Sequence, residues 1–106
     1  MINITFDSKK LELKIEGHAG AEEKGKDVVC AAVSALFYTL ARALNDSRNM
    51  LKKKPVFKDE EGKGFLRCVP RRKYERNIQL IYWTVLEGLQ LVSENYKDFV
   101  NFVVVG

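Results

Sequence analysis

Histidine, cysteine, proline and tryptophan are scarce in this chain of 106 residues, which has one histidine, two cysteines, two prolines and one tryptophan. One histidine and two cysteines cannot complete an ordinary four-ligand zinc site without carboxylates or a second chain. The two cysteines, Cys30 and Cys68, are also a poor framework for a disulfide-stapled secreted scaffold. So few prolines, with 46% apolar and 30% charged residues, exclude a disordered chain. The length suits one globular domain, residues 1–106, and excludes two. A domain of this size buries somewhat over ~60% of the surface its unfolded chain exposes, enough for a core without staples. Long apolar runs are missing too, and none approaches the ~18 to 20 residues that cross a bilayer. The opening Met1-Ile2-Asn3-Ile4-Thr5-Phe6 alternates like a strand, unlike a basic-then-apolar leader. A reducing cytoplasm is the expected compartment, with no membrane partner, no metal and no organic cofactor implied.

Charge is present but unevenly placed. The net charge is +4, yet residues 51–76 hold ten basic against four acidic side chains, a local +6. The rest of the chain is therefore −2. A basic segment of this kind is open to RNA, an anionic surface or an acidic peptide. Lysines that solvate the turns of an exposed hairpin account for the same charge without a partner.

Hydropathy patterning predicts the elements. Ile2, Ile4 and Phe6 alternate with polar neighbours, as do Leu11, Leu13 and Ile15 beyond Asp7-Ser8-Lys9-Lys10, which describes a hairpin with one buried face. Residues 17–27 follow, punctuated by Gly17, Gly20 and Gly25 and lacking any apolar side chain larger than alanine, and read as a mobile surface loop. Asp27 is a good N-cap, and from Val28 the apolar residues Val29, Val33, Leu36, Phe37, Leu40 and Leu44 fall at helical steps, predicting a helix to about Asn45. A lysine-edged second hairpin is expected over 54–59 and 65–69, ended by Pro70. Ile78, Ile81, Tyr82, Val85, Leu86, Leu89 and Val92 predict a long helix over 74–96, interrupted only by Gly88. Residues 99–105 close the chain as a strongly β-forming strand. The order is ββαββαβ, an α+β two-layer sandwich with a five-stranded mixed sheet and both long helices on one face. So apolar a last strand invites association at an edge, so it is expected either in the sheet centre or in a dimer contact.

His18 stands at the start of the glycine-bearing loop, and Cys30 follows twelve residues later in the first turn of helix one. With Asp27 as N-cap, Cys30 is the third helical position, where unpaired N–H groups and the helix dipole favour a thiolate. A histidine and a helix-terminal cysteine joined by a flexible loop have the parts of a thiol nucleophile and its base. A cysteine on an alanine-rich helix is also an ordinary small buried side chain, and a loop imidazole ordinarily bonds backbone. Ser34 lies one turn beyond Cys30 on the same face, within reach of the thiol or of His18, although such serines commonly bond back to the carbonyl four residues earlier. Asp27 has the chemistry to orient His18, and capping explains it equally. Cys68 alternates within a strand and reads as packing.

Gly17-His18-Ala19, the glycine-bearing loop and then Gly25-Lys26-Asp27-Val28-Val29-Cys30-Ala31-Ala32-Val33-Ser34-Ala35 resemble the signature of the ribosomal-processing cysteine protease family, Prp. The resemblance is specific over residues 15–44 and architectural beyond them. It implies His18 as general base and Cys30 as nucleophile, with Asp27 and Ser34 in supporting positions and Gly17, Gly20 and Gly25 in a substrate loop. It further implies removal of an N-terminal extension from a large-subunit ribosomal protein precursor, with cleavage after aromatic residues and before a small one, by a homodimer. Processing of a phage or prophage structural protein by the same dyad is an alternative. So is a non-catalytic RNA-binding or ribosome-assembly factor working through the basic 52–76 segment. The basic second half departs from the family expectation and does not favour a cationic precursor.

Overall fold

The computed structural model describes residues 1–17 and 26–106, with side chains from residue 28 onward in the second stretch. The elements are β1 (Ile2–Asp7), β2 (Glu12–Glu16), α1 (Lys26–Asp46), β3 (Val56–Glu60), β4 (Lys63–Arg67), α2 (Glu75–Asn95) and β5 (Val100–Val105). Short 3-10 turns, Arg48–Met50 and Arg72–Tyr74, precede β3 and α2. This is the ββαββαβ order that the alternation and helical spacing imply.

The five strands form one sheet in the order β3-β4-β2-β1-β5. Pairing is antiparallel except between β1 and β5, which run parallel with Ile4 opposite Phe102. Ile2, Ile4, Phe6, Leu13, Leu66 and Val100 turn to one face, where they meet Val29, Val33, Phe37, Leu40 and Leu44 of α1 and Ile78, Tyr82, Val85, Leu86 and Leu89 of α2. Burying each such side chain contributes roughly 1.5–3 kcal/mol, so this shared core holds both helices on the same face. The other face, with Asn3, Lys14, Lys63, Arg67 and Asn101, is exposed. The helices pack on each other at Gly88, where a Cβ would stand 2.8 Å from Leu36 Cδ2. The residue that interrupts the apolar pattern of α2 is thus its contact with α1.

Several boundaries differ from the sequence reading. The second hairpin lies nearer its turn, because Glu60 pairs with Lys63 around Glu61-Gly62 and Gly62 takes a φ of 75°. Cys68 therefore falls just past β4, and it is buried. Leu11 is not a strand residue. It sits in the β1–β2 turn at a φ of 50°, beside Asp7, whose Oδ1 accepts from the Lys9 and Lys10 amides at 3.0 and 3.1 Å. Helix α1 starts at Lys26, so Asp27 lies inside the first turn instead of capping it, and Cys30 is the fifth helical residue. By length and composition alone, Val28–Asp46 is also long and apolar enough to cross a membrane, contrary to the sequence reading. Its buried stripe from Val29 to Leu44 is instead the inner face of α1 against the sheet.

Strand β5 is at the edge and not central, because among the described residues its one ladder is with β1. Ile2 N–H donates to Phe99 O at 2.7 Å and Ser8 N–H to Val105 O at 2.9 Å, so the parallel pairing is tied at both ends.

Candidate active site

Cys30, Ser34 and Tyr38 follow one another at four-residue steps along α1, so they share a face. That face looks toward the turn of the β3–β4 hairpin. The hairpin is held close by aromatic packing, since Phe37 stacks on Phe57 with centroids 5.3 Å apart and lies over Gly64, where a Cβ would be 3.0 Å from its ring. Tyr38 donates a hydrogen bond to Asp59 Oδ2 and links helix to strand again. Between them lies a cleft of about 170 Å³, lined by Cys30, Ser34 and Tyr38 on one side and Asp59, Glu60 and Gly64 on the other. Past Tyr38 the groove continues along α1 as a hollow of about 420 Å³, lined by Ala41, Arg42, Lys54 and Phe57 among others.

Gly17 lines the same cleft. Its amide donates to Gly62 O at 3.0 Å, which ties the end of β2 to the hairpin turn. Only glycine fits there, because its φ is 105° and a Cβ would come within 2.2 Å of Met1 O. His18 is the next residue in sequence.

The two cysteines have opposite surroundings. Cys30 is half-buried at the margin of the core and opens onto the cleft. Cys68 is buried, and burial pushes its thiol above the ordinary cysteine range, partly offset by its hydrogen bond with Tyr82. Tyr82 O–H donates to Leu11 O at 2.8 Å and lies 3.5 Å from Cys68 Sγ. Burial, and then the neighbouring thiol, drive the Tyr82 phenol far above its usual range. Cys68 is therefore a neutral core residue, as its alternation suggests. The Tyr38 phenol is also raised, chiefly by its hydrogen bond to Asp59 and then by desolvation and the carboxylate's charge.

Helix geometry supplies the electrophilic side. The N–H groups of residues 26–29 have no partner within α1, and the dipole places partial positive charge at the helix end that carries Cys30. Ser34, one turn on, is exposed in the cleft. Of the other residues singled out in sequence, His18, Gly20 and Gly25 and the side chain of Asp27 lie outside the described residues, as does the loop reading for 18–25. Sequence reasoning missed Phe37, Tyr38, Asp59 and Glu60 as cleft residues. Tyr38 was recoverable from its eight-residue spacing to Cys30, whereas Asp59 and Glu60 depend on where the hairpin docks. Among the described residues, no three histidine, cysteine, aspartate or glutamate side chains gather as metal ligands.

A cysteine on a helix end, opening onto a groove with aromatic and acidic walls, is an arrangement suited to thiol chemistry on a peptide. The whole fold is shared with known proteins. The Staphylococcus aureus ribosomal processing cysteine protease Prp is 29% identical over 99 residues, which cover 92% of this chain and 89% of that protein. The crystal structure of Prp from S. aureus with a covalently linked product peptide superposes with a TM-score of 0.76 at 25% identity, over 98% of this chain and 99% of that one. A Streptococcus mutans protein of known structure gives 0.72 at 26% identity, over 98% and 91%. The family model of the cysteine protease Prp matches residues 1–101, strand β1 into β5, and the chain therefore belongs to the Prp family of cysteine proteases.

Proposed function

We propose that this protein is a cytoplasmic endopeptidase of one domain that removes a short N-terminal extension from a large-subunit ribosomal protein precursor, with Cys30 as nucleophile and His18 as base. The observation that carries the dyad is local. Gly17 and Cys30 line one cleft, and His18 is the residue next to Gly17. The ribosomal substrate is supported by the name of the S. aureus relative, a ribosomal processing protease.

In this mechanism His18 accepts the Cys30 proton, and the sulfur attacks the scissile carbonyl. Free N–H groups at the start of α1 donate to the oxyanion. Collapse expels the amine of the C-terminal fragment, which takes the proton from His18 and leaves a thioester on Cys30. Water, giving its proton to His18, then releases the N-terminal fragment as a carboxylate and restores the thiol. Asp27 and Ser34 support the dyad, one before and one beyond Cys30 along α1. Cleavage after aromatic residues and before a small one fits a cleft walled by Phe37 and Tyr38, whose rings pack against an aromatic side chain. A cationic precursor is also accommodated, because Asp59 and Glu60 outnumber Lys63 at the Cys30 end of the groove, and of the basic tripeptides 52–54 and 71–73 only Lys54 lines it, past Tyr38.

The active form is a homodimer. Its supports are the edge position of β5, with Val103, Val104 and Val105 exposed, and the outer side of α2, where Leu80, Trp83 and Leu91 are 68%, 41% and 59% exposed around Thr84 and Glu87.

The test is cleavage of two precursor peptides, one ribosomal and one from a phage structural protein, each with an aromatic pair before a small residue, read by mass spectrometry. Wild type is expected to cut the ribosomal peptide, and Cys30→Ala and His18→Ala to cut neither. Cleavage of the phage peptide alone would move the substrate, and full activity in His18→Ala would remove the dyad.

A further inference from the structure

Two basic tripeptides nineteen residues apart in sequence, Lys52-Lys53-Lys54 and Arg71-Arg72-Lys73, are brought to one bridge by tertiary structure. Leu51 and Pro70 form an isolated antiparallel bridge. Lys52 N–H donates to Val69 O and Arg71 N–H donates to Met50 O, both at 2.8 Å. Neighbouring antiparallel chains lie about 5 Å apart and run in opposite directions, so Lys52 stands beside Val69 and Arg71 beside Met50, and the two rows leave the bridge end to end as one track of six cations. All six side chains are exposed. Among the described residues none of the six makes an ion pair, the one ion pair found being Lys14 with Glu12 on the sheet. Lys73 Nζ lies 5.6 Å from the centroid of the half-buried Tyr74 ring, which sets an aromatic beside the cations. Arg48 and Arg76 flank the two rows, and Glu75 and Asp59 are the acidic residues nearest in sequence.

We propose that these two rows form a single RNA-binding patch, independent of the protease reading, of which Lys54 alone also lines the groove, in the hollow past Tyr38. So dense a cationic array would repel itself unless a polyanion met it, and arginine forks match phosphate oxygens in pairs. A membrane surface is the poorer partner. The exposed large apolar side chains next to the rows are Val56 and Phe57, and Phe57 is already stacked on Phe37, which leaves little to anchor in lipid. The site is also compatible with proteolysis. From Lys54 to Asp59 the extended chain covers about 17 Å, so RNA on the patch leaves the Cys30 end of the groove open. Recognition is of backbone phosphate and carries no sequence preference.

The experiment is fluorescence anisotropy of a labelled 20-nucleotide single-stranded RNA with the full chain. If all six cations contact phosphate, affinity falls roughly 300-fold between 50 and 200 mM salt. Lys52→Gln with Lys53→Gln, and separately Arg71→Gln with Arg72→Gln, are each expected to weaken binding about tenfold, because both rows belong to one surface. Replacing Lys52 and Lys53 by arginine should preserve binding. Circular dichroism and unchanged peptide cleavage report that each variant is folded. Binding that ignores salt, or that survives both double variants, overturns the proposal. So does loss confined to one row, or binding to phosphatidylserine vesicles that is tighter than binding to RNA.

Discussion

Replacing Gly17 by alanine tests the cleft wall directly. The backbone there has a φ of 105°, and holding an L-residue in such a region costs about 1–3 kcal/mol. The new Cβ would stand 2.2 Å from Met1 O, so the two segments must separate by about 1 Å to reach ordinary contact. That movement strains the 3.0 Å hydrogen bond from Gly17 N–H to Gly62 O, worth about 1 kcal/mol. Destabilisation of about 2–4 kcal/mol is the expected sum, measured by urea unfolding followed through the fluorescence of the single tryptophan, Trp83. Because His18 is the next residue, a shift of that size displaces the proposed base, and a 1 Å misplacement of a catalytic group costs on the order of 100-fold in rate. Peptide cleavage by the variant, assayed at a temperature where it remains folded, should fall by that factor, with kcat affected more than KM. A variant destabilised by less than 1 kcal/mol, or cutting within threefold of wild type, would refute the argument that Gly17 is sterically required and positions the site.

Other substitutions follow the same reasoning. Tyr82→Phe leaves the Leu11 carbonyl and the Cys68 thiol without their phenol partner, and should cost about 1–3 kcal/mol in urea unfolding, with near-normal cleavage. Alkaline stability should decline for a related reason. Cys68 and Tyr82 hold their protons more tightly folded than unfolded, so their contribution is complete below the ordinary cysteine range and is lost as pH rises through that range and then through the ordinary tyrosine range. Unfolding at pH 8 and 10.5 reads this, and the Tyr82→Phe variant should show the shallower decline. Gly88→Ala gains about 1 kcal/mol of helix propensity but pushes its Cβ to 2.8 Å from Leu36, so it should be neutral or destabilising alone and stabilising once Leu36→Ala makes room. Tyr38→Phe removes the link to Asp59 and should raise KM several-fold with kcat little changed, in steady-state cleavage kinetics.

The parts of the fold legible in sequence are those with a period. Alternation in Ile2, Ile4 and Phe6, and three- and four-residue steps from Val29 to Leu44 and from Ile78 to Leu89, name the elements and their buried faces because those spacings are properties of a strand or helix alone. Gly17, His18 and Cys30 were legible in another way, as a short motif that a family resemblance could carry. Boundaries slipped where turns competed with the pattern. Leu11 continues the alternation yet sits in a turn, and Glu61-Gly62 drew the second hairpin toward its tip.

What no local pattern contains is which distant segments meet. The apolar residues of β5 suit a central strand, but once β2 has paired with both β1 and β4 only the two edges are open, and β5 takes the one beside β1. Tyr38 and Asp59, Tyr82 with Leu11 and Cys68, and the two basic rows at the Leu51–Pro70 bridge are likewise joined across 14 to 71 residues of sequence. Sequence by itself determined the element order, the core faces and the cysteine poised on a helix end. Tertiary structure alone decided the edge strand, the cleft walls and the gathered cations, because these depend on how all the apolar faces are buried at once and not on the preference of any one segment.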